Sequence, residues 1–226
     1  MLLKFCILFS CFKVYFFNYK NRLFRLHYQH AYIRPLEGEE LVVSLQMYAM
    51  LGLPLCVGSI DATFIPWEAT SKNLRNVCNG DKGKGLLFDV VVTHMKEVLA
   101  VEGSYYCTIN DKTSVKYNGF IDDLKSHKIY KDLSYKIRTG PDEEDYVELS
   151  SCYVIADGGY LEWSVLITGY GISGDPVKYK FTDWVASVRK DVECFFQLLK
   201  GRFRLQTHMY ILNKLMFIHL KCLCLS

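Results

Sequence analysis

Cys152-Tyr-Val-Ile-Ala-Asp157-Gly-Gly159 is the stretch that decides the fold class. Its short, uninterrupted apolar run is what a strand buried on both faces looks like, and such strands belong to sheets covered by helices on either side. The run ends on a carboxylate followed by two glycines, which let the backbone turn sharply and let a ligand come close. Carboxylates at the carboxyl ends of sheet strands mark where α/β folds build their sites.

Working outward, Gly58–Phe64 alternates, with Ser59, Asp61 and Thr63 on one face and Gly58, Ile60, Ala62 and Phe64 on the other. That spacing predicts a strand with one polar face, carrying Asp61 at its middle. The apolar runs Leu86–His94 and Val98–Cys107 follow a turn-rich segment, Asn79–Gly85, and predict further strands joined antiparallel by short turns. Upstream, Glu37–Met50 has Leu41, Leu45 and Tyr48 at helical spacing, and Leu51-Gly-Leu-Pro54 stops the helix. Residues 111–138 are polar and helical in part, around Phe120–Lys125 and Ile129–Leu133, and Asp142–Asp145 is a surface loop.

Downstream of Asp157 an irregular stretch is expected to reach Thr182. A long amphipathic helix then begins, capped by Thr182 or Asp183, with Trp184, Val185, Val188, Val192, Phe195, Phe196, Leu199 and Phe203 in one stripe. The order of strands, helix, strand and helix predicts an α/β fold, a mixed sheet flanked by helices.

Half of the 226 residues are apolar, ample for one core, and no tract of low complexity or internal repeat breaks the chain. Charge is segregated. Residues 1–35 carry six Lys/Arg and no acid, 36–175 carry twelve basic against twenty-one acidic residues, and 176–226 carry nine against three. An acidic middle between basic ends suits a site that gathers carboxylates for metals beside phosphate contacts, although segregated solvated charge would look the same. Nine scattered cysteines form no CxxC pair, which points to reduced thiols rather than a zinc ribbon or redox motif. Gly169-Tyr-Gly171-Ile-Ser-Gly174 matches a dinucleotide fingerprint in spelling only, because Asp175-Pro176 follows where a helix should already have opened. No small-molecule cofactor is expected.

Glu193 supplies a third acid. At 100° per residue it borders the apolar stripe in a row with Arg189, Gln197, Lys200 and Arg204, whereas Asp191 falls on the other flank. Arg189 and Glu193 could also be a simple i,i+4 pair, worth about 0.3–0.5 kcal/mol. Three carboxylates brought together repel one another unless cations neutralise them, and hard oxygen donors suit Mg²⁺ or Mn²⁺. Two such ions can assist displacement at phosphorus.

Three blocks carry a resemblance. Gly58-Ser-Ile-Asp61-Ala-Thr-Phe-Ile-Pro-Trp67, Tyr153-Val-Ile-Ala-Asp157-Gly-Gly-Tyr160 and Val188-Arg-Lys-Asp-Val-Glu193-Cys-Phe-Phe-Gln-Leu-Leu-Lys-Gly-Arg-Phe-Arg204 resemble those of the PIF/Harbinger-type transposases, DDE-superfamily endonucleases related to plant transposon proteins. Lys72-Asn-Leu-Arg-Asn76 and Asn110-Asp-Lys-Thr113 are similar to family stretches as well. The resemblance implies an RNase H-like fold over residues 32–206, with Asp61, Asp157 and Glu193 as catalytic residues and ligands of two Mg²⁺ or Mn²⁺ ions. It also implies metal-dependent cleavage and transfer of DNA strands in the nucleus, with Arg189, Lys200 and Arg204 on the phosphates. A separate DNA-binding protein is a possible partner, since no helix-turn-helix module precedes the catalytic blocks.

Residues 1–31 and 207–226 stand outside that resemblance. Met1–Phe17 has a basic start and an apolar stretch like a signal peptide, but no small-x-small cleavage site and too few apolar residues for the about 20 of a membrane span. A buried helix, or a misplaced start of the reading frame, is the expectation, and no membrane association. The divergent ends, and Gln197 where the family usually has glycine, keep a second reading open: a catalytically silent nucleic-acid-binding or interaction protein on the same fold.

Overall fold

A computed structural model describes residues 33–66, 79–80, 83–131, 133–141, 145–171 and 174–203. The expectations for Met1–Phe17, for the block around Lys72, for Arg204 and for the C-terminal tail fall outside those residues.

The described chain is a mixed α/β structure. In order it runs α1 (Gly38–Met50), β1 (Cys56–Pro66), β2 (Asn79–Gly80), β3 (Gly83–Val92), β4 (Val98–Tyr106), α2 (Asp111–Ser114), a 3₁₀ turn (Val115–Tyr117) and α3 (Gly119–Lys125). There follow β5 (Tyr135–Arg138), β6 (Tyr146–Leu149), β7 (Tyr153–Ile155), β8 (Leu166–Ile167) and α4 (Pro176–Phe203).

Six strands make one sheet. β1, β3 and β4 are antiparallel neighbours, with β2 a short extension against β3, while β7 and β8 join parallel on the other side of β1. The antiparallel section is the one expected from the closely spaced apolar runs. β1 is therefore central, with β3 on one side and β7 on the other.

The two faces are covered differently. On one, Ile60, Val91, Leu99, Val154 and Leu166 pack with Phe120, Ile121 and Leu124 of α3. On the other, Cys56 and Ile155 pack with Tyr48 of α1 and with Val185 and Val188 of α4. Gly52 closes α1 at φ +76°, and a methyl group added there would meet the Trp184 ring at 3.1 Å, so the turn is shaped both by backbone and by the approach of α4.

The stripe on α4 lies where the periodicity puts it: Val185, Val188, Val192, Phe195, Phe196 and Leu199 are all buried. The helix starts earlier than expected, at Pro176 rather than near Thr182. Asp175 caps it: its carboxylate accepts the Val177 N–H at 2.9 Å and its carbonyl accepts the Tyr179 N–H at 3.0 Å. Proline at the first helical position after a capping aspartate needs no hydrogen-bond donor there, so the first two turns form without any apolar periodicity.

The polar face of β1 is turned inward: Ser59 and Thr63 are buried, and α4 packs on β1. One other expectation is corrected. Residues 129–131 are bend and turn rather than helix, and a second, two-stranded sheet follows, β5 paired with β6. Tyr135, Ile137 and Val147 of that ribbon are exposed, so it was hidden from a search for buried strands. Among the described residues no helix is long and apolar enough to cross a membrane.

Phe195 is 1 % exposed on the stripe that joins α4 to the sheet. Phe195→Ala is expected to cost about 3–5 kcal/mol, the usual range for emptying an aromatic core site. Ile137→Ser on the ribbon should cost under about 1 kcal/mol. Urea unfolding checks both, and equal midpoints for the two variants would mean that α4 is not docked as described.

Candidate active site

The sheet register brings two of the acids together. β1 and β7 run parallel with Ser59 opposite Ile155. Asp61 and Asp157 each lie two residues beyond that last pair, and Asp157 is near enough to act electrostatically on Asp61. Asp61 is still within β1, partly buried, while Asp157 has just left β7 and is exposed. Tyr160 folds back directly, its N–H donating to the Asp157 carbonyl at 3.0 Å.

Glu193 reaches the same place from α4. The Arg189 guanidinium donates from one nitrogen to Asp61 Oδ2 at 3.0 Å and from the other to Glu193 Oε1 at 2.9 Å. One planar fork thus holds a carboxylate of the sheet and a carboxylate of the helix. The i,i+4 pair foreseen between Arg189 and Glu193 is present, and its second arm spans to a strand 128 residues earlier. Lys200 is exposed on the same helix.

Asp61 is held with care. The Ala62 N–H donates to its Oδ1 at 2.8 Å. Burial raises its pKa most, the Ala62 N–H and Arg189 lower it, and the nearby Asp157 and Asp111 raise it again, for a net upward shift. A partly buried carboxylate facing two other acids is a place that attracts cations. Among the described residues no three His, Cys, Asp or Glu side chains are grouped so as to hold one metal ion, and it is Arg189 that stands between Asp61 and Glu193.

Asp111 is a residue that sequence reasoning passed over, although it lies in the family-like stretch Asn110–Thr113. It opens α2, where the Asn110 side chain caps the helix by accepting the Thr113 N–H. A methyl group added to Gly159 would lie 3.3 Å from Asp111 Oδ2, so glycine at this position leaves room for the acid. Gly158, by contrast, faces open space.

A second missed acid lies behind the site. Asp89 interrupts the apolar run of β3 and is fully buried. Its Oδ1 accepts from the Ser114 hydroxyl at 3.2 Å and from the Tyr160 hydroxyl at 3.4 Å, while Oδ2 has no partner among the described residues. Burial, reinforced by Asp111 and opposed by Ser114, Tyr160 and Asn118, pushes Asp89 up to about 7. The signal was a charge inside an otherwise apolar strand.

On its opposite flank α4 is tied down by Asp191, which meets His94 Nδ1 at 2.5 Å and Lys96 Nζ at 3.4 Å. The four described cysteines, Cys56, Cys107, Cys152 and Cys194, form no disulfide, and the Cys107 thiol donates to the Gly85 carbonyl at 2.7 Å. Burial pushes the Cys152 thiol up to about 11 and raises Cys56 further, so neither is a ready nucleophile.

A family model described as plant transposon protein matches residues 30–226. No curated protein and no solved structure matches the chain.

Asp89 gives a pH dependence whose sign can be worked out. Its folded pKa, about 7, is above the ordinary 3.8, so the folded protein holds this proton more tightly than the unfolded chain. The stabilisation is complete below about pH 4 and is lost as pH rises through about 7. Asp89→Asn should remove that trend, so the melting temperature of the variant should gain steadily on the parent between pH 4 and 8. Parallel curves over that range would mean the carboxyl is not held neutral.

Proposed function

The chain belongs to the plant transposon protein family, and on that premise we propose that it is a metal-dependent DNA endonuclease of the PIF/Harbinger type with an RNase H-like core. The observation that supports the reading is the Arg189 fork that joins Asp61 of the central strand to Glu193 of α4, with Asp157, just past the neighbouring strand β7, within electrostatic reach of Asp61. The strand order, three antiparallel strands followed by two parallel ones with a long helix against the central strand, supports the RNase H-like assignment.

The donor set fits hard divalent cations, since all three side chains offer oxygen and Asp61 has two further acids within electrostatic reach. Asp61 and Asp157 would share one Mg²⁺ or Mn²⁺, and Glu193 would help hold a second. When bound, such a pair supplies a water or 3′-hydroxyl nucleophile at neutral pH and stabilises the departing oxygen on phosphorus. The protein's own contributions are positional. The sheet fixes Asp61 and Asp157 relative to each other, and α4 brings Glu193 to them. Lys200, exposed on the same helix, and Arg204, which follows it in the sequence, would contact the DNA backbone, which carries no sequence information by itself. A separate DNA-binding protein would then select the target, and the site of action is the nucleus.

One observation favours a second reading, a silent nucleic-acid-binding or interaction protein. An arginine paired to two acids is also what a structural ion-pair network looks like, and a copy that had lost activity could keep it.

Plasmid nicking in Mn²⁺ separates the two. The parent is expected to convert supercoiled to open-circular DNA. Asp157→Asn, which removes an exposed charge while nearly keeping the shape, should lower the rate at least about a hundredfold, as loss of a group acting mainly in the transition state does. A parent that binds DNA but nicks no faster than Asp157→Asn would leave the silent binder as the better account.

A further inference from the structure

Arg189 is 15 % exposed and holds Asp61, 22 % exposed, and Glu193, 45 % exposed, on the two ends of one guanidinium. We propose that Arg189 is a built-in counter-ion for this site: it answers the charge of both Asp61 and Glu193 in the absence of metal, and it swings out when divalent cations bind these acids. The inference rests on the metal-site reading above and adds to it the residue that sets cation affinity and keeps the site assembled without metal.

The geometry leaves little alternative for the gap. Both carboxylates already give an oxygen to the fork at 2.9–3.0 Å. Arg189 takes one oxygen of each acid and the Ala62 N–H takes the other oxygen of Asp61, so a divalent ion bound by these carboxylates at about 2.0–2.6 Å would face the guanidinium at a few ångströms with like charge. At such a distance two cations repel strongly in a partly buried setting. The two cations are therefore mutually exclusive between these acids. Asp157, exposed and not bonded to Arg189, remains open to a first ion and gives the exchange a place to begin.

Arg189 also has somewhere to go. It shares its helical row with Glu193, Gln197 and Lys200, and Lys200 is exposed toward the C-terminal end of α4. Released from Asp61, the guanidinium becomes available to a phosphate on that face, so cation loading and backbone contact would be coupled through one side chain. Lysine could not take this part equally well, because an ammonium is a point charge and not a fork that meets two carboxylates at once.

The test uses the whole chain, calorimetric titration with MnCl₂, and nitrogen-detected NMR of the arginine side chains during titration with MgCl₂. Arg189→Gln should bind Mn²⁺ about tenfold more tightly than the parent (1.4 kcal/mol), although its own metal-free melting temperature falls. In the parent, the guanidinium signal restrained by the two carboxylates, assigned by its loss in Arg189→Lys, should disappear as Mg²⁺ saturates. Arg189→Lys should also bind Mn²⁺ more tightly than the parent, and it covers the case in which Arg189→Gln fails to fold. A parent silent toward Mn²⁺ beside a variant that binds it would equally support the inference. Cation binding by the parent with the restrained signal intact, or with unchanged affinity in the variants, would overturn the inference and leave the metal site standing. Failure of parent and variants alike to bind either cation would overturn both.

Discussion

The contact between Asp61 and Arg189 ties the central strand of the sheet to the long helix, and the arrangement of the site depends on it. A carboxylate set inside a strand and covered by a helix has lost much of its water, so its charge needs a partner or its proton returns. Exposed ion pairs contribute about 0–1 kcal/mol, while breaking a fully buried one costs about 3–5 kcal/mol. Here both side chains are mostly but not wholly covered, 22 % and 15 % exposed, which places the contact between those limits.

That contact does not act alone on α4. Arg189 and Glu193 lie on one flank of the apolar stripe, and Asp191 lies on the other, bonded to His94 and Lys96 beyond the end of β3. Between them Val188 and Val192 are buried. Apolar packing alone lets a helix roll by some degrees at small cost, because valine and phenylalanine stripes have no unique register. Ion pairs on both flanks define the roll, and with it the direction in which Glu193 points. The placement of an acid on the helix is thus a consequence of the two neighbouring charges as much as of the stripe.

What was legible in the sequence follows from what periodicity can carry. The stripe from Val185 to Leu199, the buried run Tyr153–Ile155 and the strand through Asp61 all announce themselves, since each has one face or both turned to a single core. The features that escaped lack such a face. The ribbon of Tyr135–Arg138 and Tyr146–Leu149 is exposed, and the start of α4 rests on a local Asp-Pro cap. Asp89 escaped for the opposite reason: it is so deeply enclosed by β3 that it looked like part of an apolar run. Its partners, Ser114 and Tyr160, are distant in sequence, and no spacing rule connects them.

The same distance explains why three acids of weak individual meaning gain it together. Asp61 in a strand, Asp157 before two glycines and Glu193 beside an arginine are each common. Parallel pairing of β1 with β7 brings Asp157 within electrostatic reach of Asp61, and Arg189 of α4 links Asp61 to Glu193. Asp111 adds its charge from α2, and the glycine at 159 leaves it the room. Negative charge from Asp157 and Asp111 therefore gathers about Asp61 at the middle of β1, and like charges held together raise the free energy of the folded state. The fold meets that cost at Asp61 and Glu193 with a single arginine, whose planar fork answers two of the acids at once.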